Sequence, residues 1–190
     1  MAQRTMAPFG RNDDPALLST EGKTAREAAT LVLLYPYSGS DESGLVLTAR
    51  QPSLRDHSGQ ISFPGGRREE EETYEQAALR EGWEEVGVDP AVPQVLGRLS
   101  PLYIPPSRFS VYPVVAALEE RPRFAPQEDE VAAILEVPLA RLLDPATRQT
   151  SPRLVRGGAF ETPFFALDGY EVWGATAMML AEFAAIVREL

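Results

Sequence analysis

Runs of apolar and β-branched residues separated by turn residues predict a series of strands. Residues 29–35 and 44–50 form two such runs joined by a short polar loop, and a longer loop rich in Gly and Pro continues to Gly66. Residues 95–103, 110–118 and 131–137 predict three more strands, separated by proline-containing turns. The pattern therefore predicts a sheet of at least five strands.

Helical periodicity is clearest over residues 73–86. Thr73 followed three residues later by Gln76 fits a capping box. One face of this helix is predicted to be buried and carries Leu79, Gly82, Trp83 and Val86. A short helix is expected after Pro138. A C-terminal amphipathic helix after Trp173-Gly174 is predicted from the helical spacing of Leu180, Phe183, Ala184 and Val187.

The order of these elements predicts one domain of the α+β class. Residues 26–190 form that domain, in which a mixed β-sheet is sandwiched between α-helices in an α/β/α arrangement. Residues 1–25 mix Pro, Gly, Asn and Asp around one short apolar patch, so we expect them to form a loosely held arm.

Composition narrows the class of protein. A formal net charge of −10 disfavours broad binding to nucleic acid or to an anionic membrane surface. The chain contains no cysteine and a single histidine, His57, which rules out thiolate and His-rich metal sites. The sequence shows neither a secretory signal nor an apolar stretch long enough to span a bilayer, and we expect a cytoplasmic location. Hydrolytic chemistry in this chain has to use carboxylates.

Three carboxylates share one face of the predicted helix over residues 73–86. Glu81, Glu84 and Glu85 fall on one side of the helical wheel, opposite the apolar residues, and are expected to face outward. Like charges at this spacing repel one another, and a hard cation reverses that effect. Oxygen ligands favour Mg²⁺ or Mn²⁺. Taken alone, the same stripe also fits an ordinary solvated helix face.

The surrounding residues distinguish these interpretations. Gly66, Glu72, Arg80-Glu81, Glu84-Glu85 and Gly87-Val88 have the spacing G-x5-E-x7-R-E-U-x-E-E-x-G-U, where U is a bulky apolar residue. This pattern resembles the Nudix box of the Nudix pyrophosphohydrolases. One position departs from it, because Gly82 stands where a bulky residue is preferred, which suggests close packing of another element against the helix.

The resemblance implies a role for each matching residue. Glu81 and Glu85 are expected to be direct metal ligands, Glu84 to contribute directly or through water, and the carbonyl of Gly66 to complete the shell. Arg80 and Glu72 are expected to pair and to clamp the loop against the helix, a structural role. Independent surface charges are the alternative for that pair.

A second motif lies upstream of the first. Leu47-Thr48-Ala49-Arg50, Arg55, Gly59 and Phe63-Pro64-Gly65-Gly66 resemble the signature L-L-T-x-R-(S/A)-x3-R-x3-G-x3-F-P-G-G of the coenzyme A pyrophosphatase branch of that family. Val46 and Gln51 depart from it. The resemblance implies coenzyme A or a derivative as the small-molecule nucleotide substrate, with Arg50 and Arg55 binding phosphate and Gly65 and Gly66 allowing close backbone approach to the pyrophosphate. Either arginine also has acidic neighbours with which to pair.

The remaining assignments have alternatives. Glu130 matches an acidic residue that the family carries before a strand, and it is expected to be catalytic, as a metal ligand or the general base, unless it belongs to a solvated acidic turn. A helix glutamate is the other candidate base. Another nucleoside diphosphate derivative, such as ADP-ribose or a dinucleotide, is the alternative substrate, and a catalytically silent nucleotide-binding domain is the alternative function. The sequence is compatible with a monomer or a homodimer.

Overall fold

The structure is a computed structural model that describes residues 2–7, 18–37, 42–52, 59–155 and 158–190. Its strands in chain order are β1 (Arg26–Pro36), β2 (Ser43–Arg50), β3 (Ile61–Ser62), β4 (Gly65–Arg67), β5 (Gln94–Arg98), β6 (Leu102–Ile104), β7 (Phe109–Ala117), β8 (Val131–Pro138), β9 (Arg148–Val155), β10 (Gly158–Leu167) and β11 (Tyr170–Trp173). Its α-helices are α1 (Tyr74–Val86), α2 (Leu139–Leu143) and α3 (Gly174–Val187). The predicted short helix after Pro138 is therefore present as α2.

Within the described residues, a mixed sheet of eight strands forms the centre of the molecule. Its main path runs β3-β2-β1-β7-β5, and β4, β6 and β8 pair with β1, β7 and β2 respectively. The long central strands β1 and β7 run parallel, with Arg26 opposite Phe109 and Leu34 opposite Ala117. Both are largely buried, which explains why they stand out in the sequence as nearly continuous apolar runs.

Helices cover both faces of this sheet, as predicted. On one face α1 packs against Leu31, Leu33 and Val114. On the other face α3 packs against a larger cluster that includes Val32 and Leu47. Because alternate residues of a strand point to opposite faces, Leu31 and Val32 belong to different layers of the core. The α/β/α arrangement of the α+β class is confirmed.

The C-terminal helix α3 is buried more completely than an amphipathic helix. Leu180, Phe183 and Ala184 are buried as predicted, and Met178 and Met179 are only 3% exposed on its other sides. The helix has 14 residues. In the part of the chain that the structure describes, no helix is both long and apolar enough to cross a bilayer.

Two regions differ from the predicted strands. The single strand expected over residues 95–103 is divided into β5 and β6, with a register shift near Gly97, whose φ is 156°. A separate antiparallel sheet, β11-β10-β9, was not predicted. Its strands contain Pro152 and Pro163 and are held by pairing between distant residues, which a local pattern does not reveal.

The described part of the N-terminal arm is packed onto the domain, unlike the loosely held arm that we expected. Ala2–Met6 form a 3₁₀ helix, and Met6 and Ala7 are each 2% exposed. The side-chain amide of Gln3 donates to Glu182 Oε2 on α3 over 2.7 Å. Residues 8–17 lie outside the described residues.

Candidate active site

The helix α1 carries the predicted carboxylates, and its two ends are fixed by local interactions. The Thr73 hydroxyl accepts a hydrogen bond from the Gln76 amide, and the Gln76 side chain accepts one from the Thr73 amide, which confirms the capping box. Gly87 ends the helix with φ 75°, a left-handed conformation that favours glycine. These caps fix which side chains α1 turns toward the sheet.

Glu85 is buried between α1 and β2. It is 4% exposed, and its Oε2 accepts a long hydrogen bond of 3.4 Å from the Thr48 hydroxyl. Its Oε1 lies 3.9 Å from Arg50 Nη1. Burial raises the pKa of the Glu85 carboxyl to about 8, and the negative charge of Glu81 acts in the same direction. The two contacts are too weak to offset that burial, so this carboxylate lacks compensation.

Glu81 lies beside Gly66 at the edge of the same site. A Cβ atom at Gly66 would stand 2.5 Å from Glu81 Oε1, so a side chain at this position would displace the Glu81 carboxylate. The side chain of Glu81 is 14% exposed, and Arg80 Nη1 donates to its Oε1 over 2.9 Å. Burial raises the pKa of Glu81, while the hydrogen bond from Arg80 opposes this effect.

Arg80 also reaches the two remaining glutamates of the box. Its Nε donates to Glu72 Oε1 over 2.7 Å and its Nη1 to Glu84 Oε2 over 3.0 Å. Arg80 Nη2 donates to the carbonyl of Arg67 over 3.0 Å. The hydrogen bond from Arg80 holds the pKa of Glu72 below its usual value. Arg80 and Glu72 are thus in contact and join α1 to the loop before it, the arrangement that the resemblance implied.

The acidic face of α1 is only partly exposed to solvent, contrary to our expectation. Only Glu84 is at the surface, with its side chain 50% exposed. Trp83, predicted to be buried, is 54% exposed. Gly82 and Val86 are buried as predicted, and Glu85 joins them, because Gly82 leaves room for the Leu31 side chain, whose Cδ2 would lie 2.5 Å from a Cβ atom at that position. The helix is therefore rotated, and this rotation brings Glu85 into the interior.

Glu130 approaches the same carboxylates from the turn before β8. Its residue is exposed, and in the described ranges its side chain forms no hydrogen bond or ion pair. Its charge raises the pKa of both Glu81 and Glu85, after burial and the nearer charges. The amide of Gln127 donates to the main-chain oxygen of Glu85 over 3.1 Å, which holds this turn against α1.

The arginines and glycines of the second motif are only partly within the described residues. Arg50 lies in the site, with its side chain 27% exposed. Gly65 and Gly66 pair with β1 opposite Thr30 and Ala29. Gly65 thus approaches the backbone of β1. Arg55 and His57 lie outside the described residues.

A divalent cation fits the chemistry of this donor set, but the three carboxylates are not arranged around one point. Glu81, Glu84 and Glu85 offer oxygen atoms alone, as Mg²⁺ and Mn²⁺ prefer, and the uncompensated charge of Glu85 favours a cation. In the described part of the chain, however, no three carboxylates converge on one point. The cause is Arg80, which holds Glu81 and Glu84. A bound cation would compete with this arginine.

Sequence reasoning did not identify two contributors to the site. Thr48 donates its hydroxyl group to Glu85, and its position within the second motif is the signal that could have identified it. The other contributor is an anchor made by Glu27, whose carboxylate accepts from Tyr74 over 2.7 Å and from Arg68 Nη2 over 2.6 Å. No local pattern connects β1 with residues more than forty positions later.

Comparison with known proteins identifies the family of this chain. The model of the NUDIX domain family matches residues 25–156. Two similar proteins bear the name uncharacterized Nudix hydrolase NudL: one from Cronobacter sakazakii is 36% identical over 173 residues, which cover 90% of this chain and 88% of that protein. The other, from Klebsiella pneumoniae, is 37% identical over 160 residues, covering 84% and 81%.

A solved structure shares the fold over most of the chain. The MutT protein from Methanosarcina mazei Go1 aligns with a TM-score of 0.56 and 17% identity, and the alignment covers 89% of this chain and 99% of that protein. At that identity the likeness concerns the fold alone. The family match and these relatives show that this chain belongs to the Nudix family of hydrolases that act on pyrophosphate bonds.

Proposed function

We propose that this hydrolase cleaves the diphosphate of coenzyme A or its derivatives, releasing 4′-phosphopantetheine and adenosine 3′,5′-bisphosphate. The observation that carries the proposal is the meeting of the two motifs at Glu85. The second motif runs along β2 and contributes Thr48 at 3.4 Å and Arg50 at 3.9 Å from that carboxylate. Residues of the substrate-related signature therefore border the carboxylates of the Nudix box.

Nudix hydrolases generally use divalent metal ions. In this chain Mg²⁺ or Mn²⁺ would be held by Glu81 and Glu85, with Glu84 and the carbonyl of Gly66 contributing. When bound, such an ion neutralises charge on the diphosphate oxygens and makes a bound water more acidic. The protein's own contribution is to hold the three carboxylates on one helix that is capped at both ends.

Arg50 is proposed to bind a phosphate group of the substrate. Its guanidinium is a planar, permanently charged donor, and among the described residues the nearest acidic oxygen is 3.9 Å away, too far for a hydrogen bond. Arg50 Nε has no hydrogen-bond acceptor in the same part of the chain. Arg55 is proposed as a second phosphate ligand. The 3′-phosphate of coenzyme A gives these two arginines an additional dianion to recognise.

Glu130 is proposed as the general base that accepts a proton from the attacking water. Its exposed carboxylate is close enough to Glu81 and Glu85 for its charge to raise their pKa values. Glu81 is engaged by Arg80 and Glu85 is buried, so Glu130 is the more accessible of these groups. A cytoplasmic location and a monomeric or dimeric state stay predictions.

A substrate panel tests the proposal. Purified protein with Mg²⁺ or Mn²⁺ is given coenzyme A, dephospho-coenzyme A, ADP-ribose and a dinucleotide, and the products are separated by chromatography. We expect coenzyme A to be cleaved with the highest kcat/KM, and the dephosphorylated form with a higher KM. Rapid cleavage of ADP-ribose with coenzyme A intact would overturn the choice of substrate, and no cleavage at all would favour a silent binding domain.

The base assignment needs a separate comparison. Glu130→Gln should lower kcat at every metal concentration, since the proposed proton acceptor is lost while the proposed metal ligands Glu81 and Glu85 are kept. If Glu130 instead binds a metal ion, activity in the variant should recover as the metal concentration is raised. That recovery would contradict its role as the base.

A further inference from the structure

We propose that Gln51 is a positioning residue that holds the turn carrying Glu130 in place beside the catalytic carboxylates. Gln51 is one of the two positions at which the chain departs from the coenzyme A signature, where Ser or Ala is expected. The inference rests on the proposed role of Glu130. The signature assigns no function to the position of Gln51.

Gln51 makes two hydrogen bonds to this turn. Its main-chain amide donates to the carbonyl of Glu130 over 2.8 Å, and its side-chain amide donates to the carbonyl of Glu128 over 2.8 Å. Any residue other than proline keeps the first bond. The second requires a long side chain with an N–H donor, because alanine has no donor and serine is shorter by two heavy atoms.

A β-bulge brings Gln51 and Glu130 opposite each other. Ala49 pairs with Ala133, but Arg50 pairs with Val131, so Ala132 is the extra residue in β8. A bulge bends the strand and changes the direction of the residues that follow it. The same irregularity sets Arg50 opposite Val131, the residue that directly follows Glu130, and Gln51 continues that register.

The turn also needs a tether for electrostatic reasons. Glu128, Asp129 and Glu130 are three consecutive exposed acids, and the charge of Glu130 acts on Glu81 and Glu85. Like charges at short range repel, and this repulsion opposes the hydrogen bond from the Gln127 amide to the Glu85 carbonyl that attaches the turn to α1. The turn's own bonds, from the amides of Glu130 and Val131 to the carbonyl of Gln127, fix its shape. Gln51 adds a neutral attachment that fixes its position against β2.

The first test reads kinetics in a double-mutant cycle. Gln51→Ala and Gln51→Glu, which is similar in shape but lacks the donor, should each lower kcat about three- to tenfold, the size expected for one lost hydrogen bond, with KM changed less than about twofold. In a Glu130→Gln background the same change at Gln51 should cost less than about twofold. Full, additive losses in both backgrounds would overturn the proposal, as would wild-type kcat in Gln51→Ala.

A matched control is Gln149→Ala. The Gln149 side-chain amide also donates to a main-chain carbonyl, that of Ala146 over 3.4 Å, on an exposed part of the molecule that the proposed site does not include. Its kcat should equal that of the wild type. Thermal melting of all variants checks that lost activity does not reflect unfolding.

The second test does not depend on activity. Amide hydrogen exchange at Glu130 and Val131 should become faster in Gln51→Ala and stay unchanged in Gln149→Ala, because only the former loosens the turn. Unchanged exchange in Gln51→Ala would overturn the proposal whatever the substrate. The kinetic cycle is run on whichever diphosphate the panel shows to be cleaved, so a wrong choice of substrate and a wrong role for Gln51 give different results.

Discussion

Two glutamates of the Nudix box, Glu72 and Glu85, have opposite environments. Glu72 accepts hydrogen bonds from Arg80 at 2.7 Å and from the amide of Glu69 at 3.1 Å, and its pKa is lowered. Glu85 has one hydrogen bond of 3.4 Å and an arginine at 3.9 Å, and burial raises its pKa to about 8. Identical side chains thus serve different purposes: a carboxylate with strong partners stabilises the fold, and one without them is available to a ligand.

Glu27 and Glu81 extend the same contrast. Glu27 is held by Tyr74 and Arg68, and the hydrogen bond from Tyr74 is the main cause of its lowered pKa. Glu81 has a raised pKa because of burial, although Arg80 contacts it. Through Arg68 and Tyr74, Glu27 anchors the loop and the helix that carry the site. This anchor holds Glu81 in a buried position, where its negative charge is costly without a cation.

The largest expected effect on activity comes from replacing the buried carboxyl group of Glu85. Glu85→Gln should lower kcat by at least about a hundredfold, because it removes a proposed metal ligand while keeping the shape of the side chain. Stability of the metal-free protein should not fall, since a neutral amide is less costly to bury than a carboxylate. Steady-state kinetics and thermal melting measure the two quantities. Full activity in this variant would contradict the metal assignment.

The complementary change sharpens the contrast. Glu72→Gln should destabilise the protein by about 1–2 kcal/mol, because Arg80 loses its strongest partner in a partly buried position. Its effect on kcat should be smaller than that of Glu85→Gln. Urea unfolding followed by circular dichroism gives the free energy of unfolding. If Glu72→Gln leaves stability unchanged and abolishes turnover, the division between structural and functional glutamates is wrong.

A third expected effect is a pH dependence of stability that has opposite signs at the two positions. The pKa of Glu85 is higher in the folded state than its ordinary value of 4.5, so its contribution to stability is fully present below about pH 4.5 and is lost as the pH rises through 8. The pKa of Glu72 is lowered, so its contribution is present above about 4.5 and is lost as the pH falls through the folded pKa.

Melting temperatures of the metal-free protein between about pH 4 and 9 check these signs. The wild type should lose stability relative to Glu85→Gln as the pH rises, and Glu72→Gln should approach the wild type as the pH falls. Parallel curves for all three proteins would show that neither carboxyl has a shifted pKa.

Much of the fold could be predicted because its central elements carry local signals. Residues 29–35 lie within β1 and residues 110–118 overlap β7, since strands buried on both faces are apolar throughout. The capping box marked the start of α1. The β11-β10-β9 sheet was missed because its pairs, such as Phe164 with Gln149, are set by tertiary packing.

The sequence indicated which residues form part of the site but not how their side chains are oriented. The resemblance to the two family motifs pointed to several residues that the structure brings together, including Arg50 and Glu85. The helical wheel failed at Trp83 and Glu85, because the rotation of α1 depends on how closely Gly82 lets Leu31 approach. Likewise, the grip of Arg80 on Glu81 and Glu84 depends on side-chain geometry that spacing does not determine.

The most direct test of the contrast is calorimetric titration of Mn²⁺ into the metal-free wild type and Glu85→Gln at pH 7, in buffers of different ionisation enthalpy. With a pKa of about 8, Glu85 is largely protonated at that pH, so binding to the wild type should release a proton and give a buffer-dependent heat. Glu85→Gln should bind Mn²⁺ at least about tenfold more weakly, without that release. Equal affinity and equal proton release in both proteins would contradict the account.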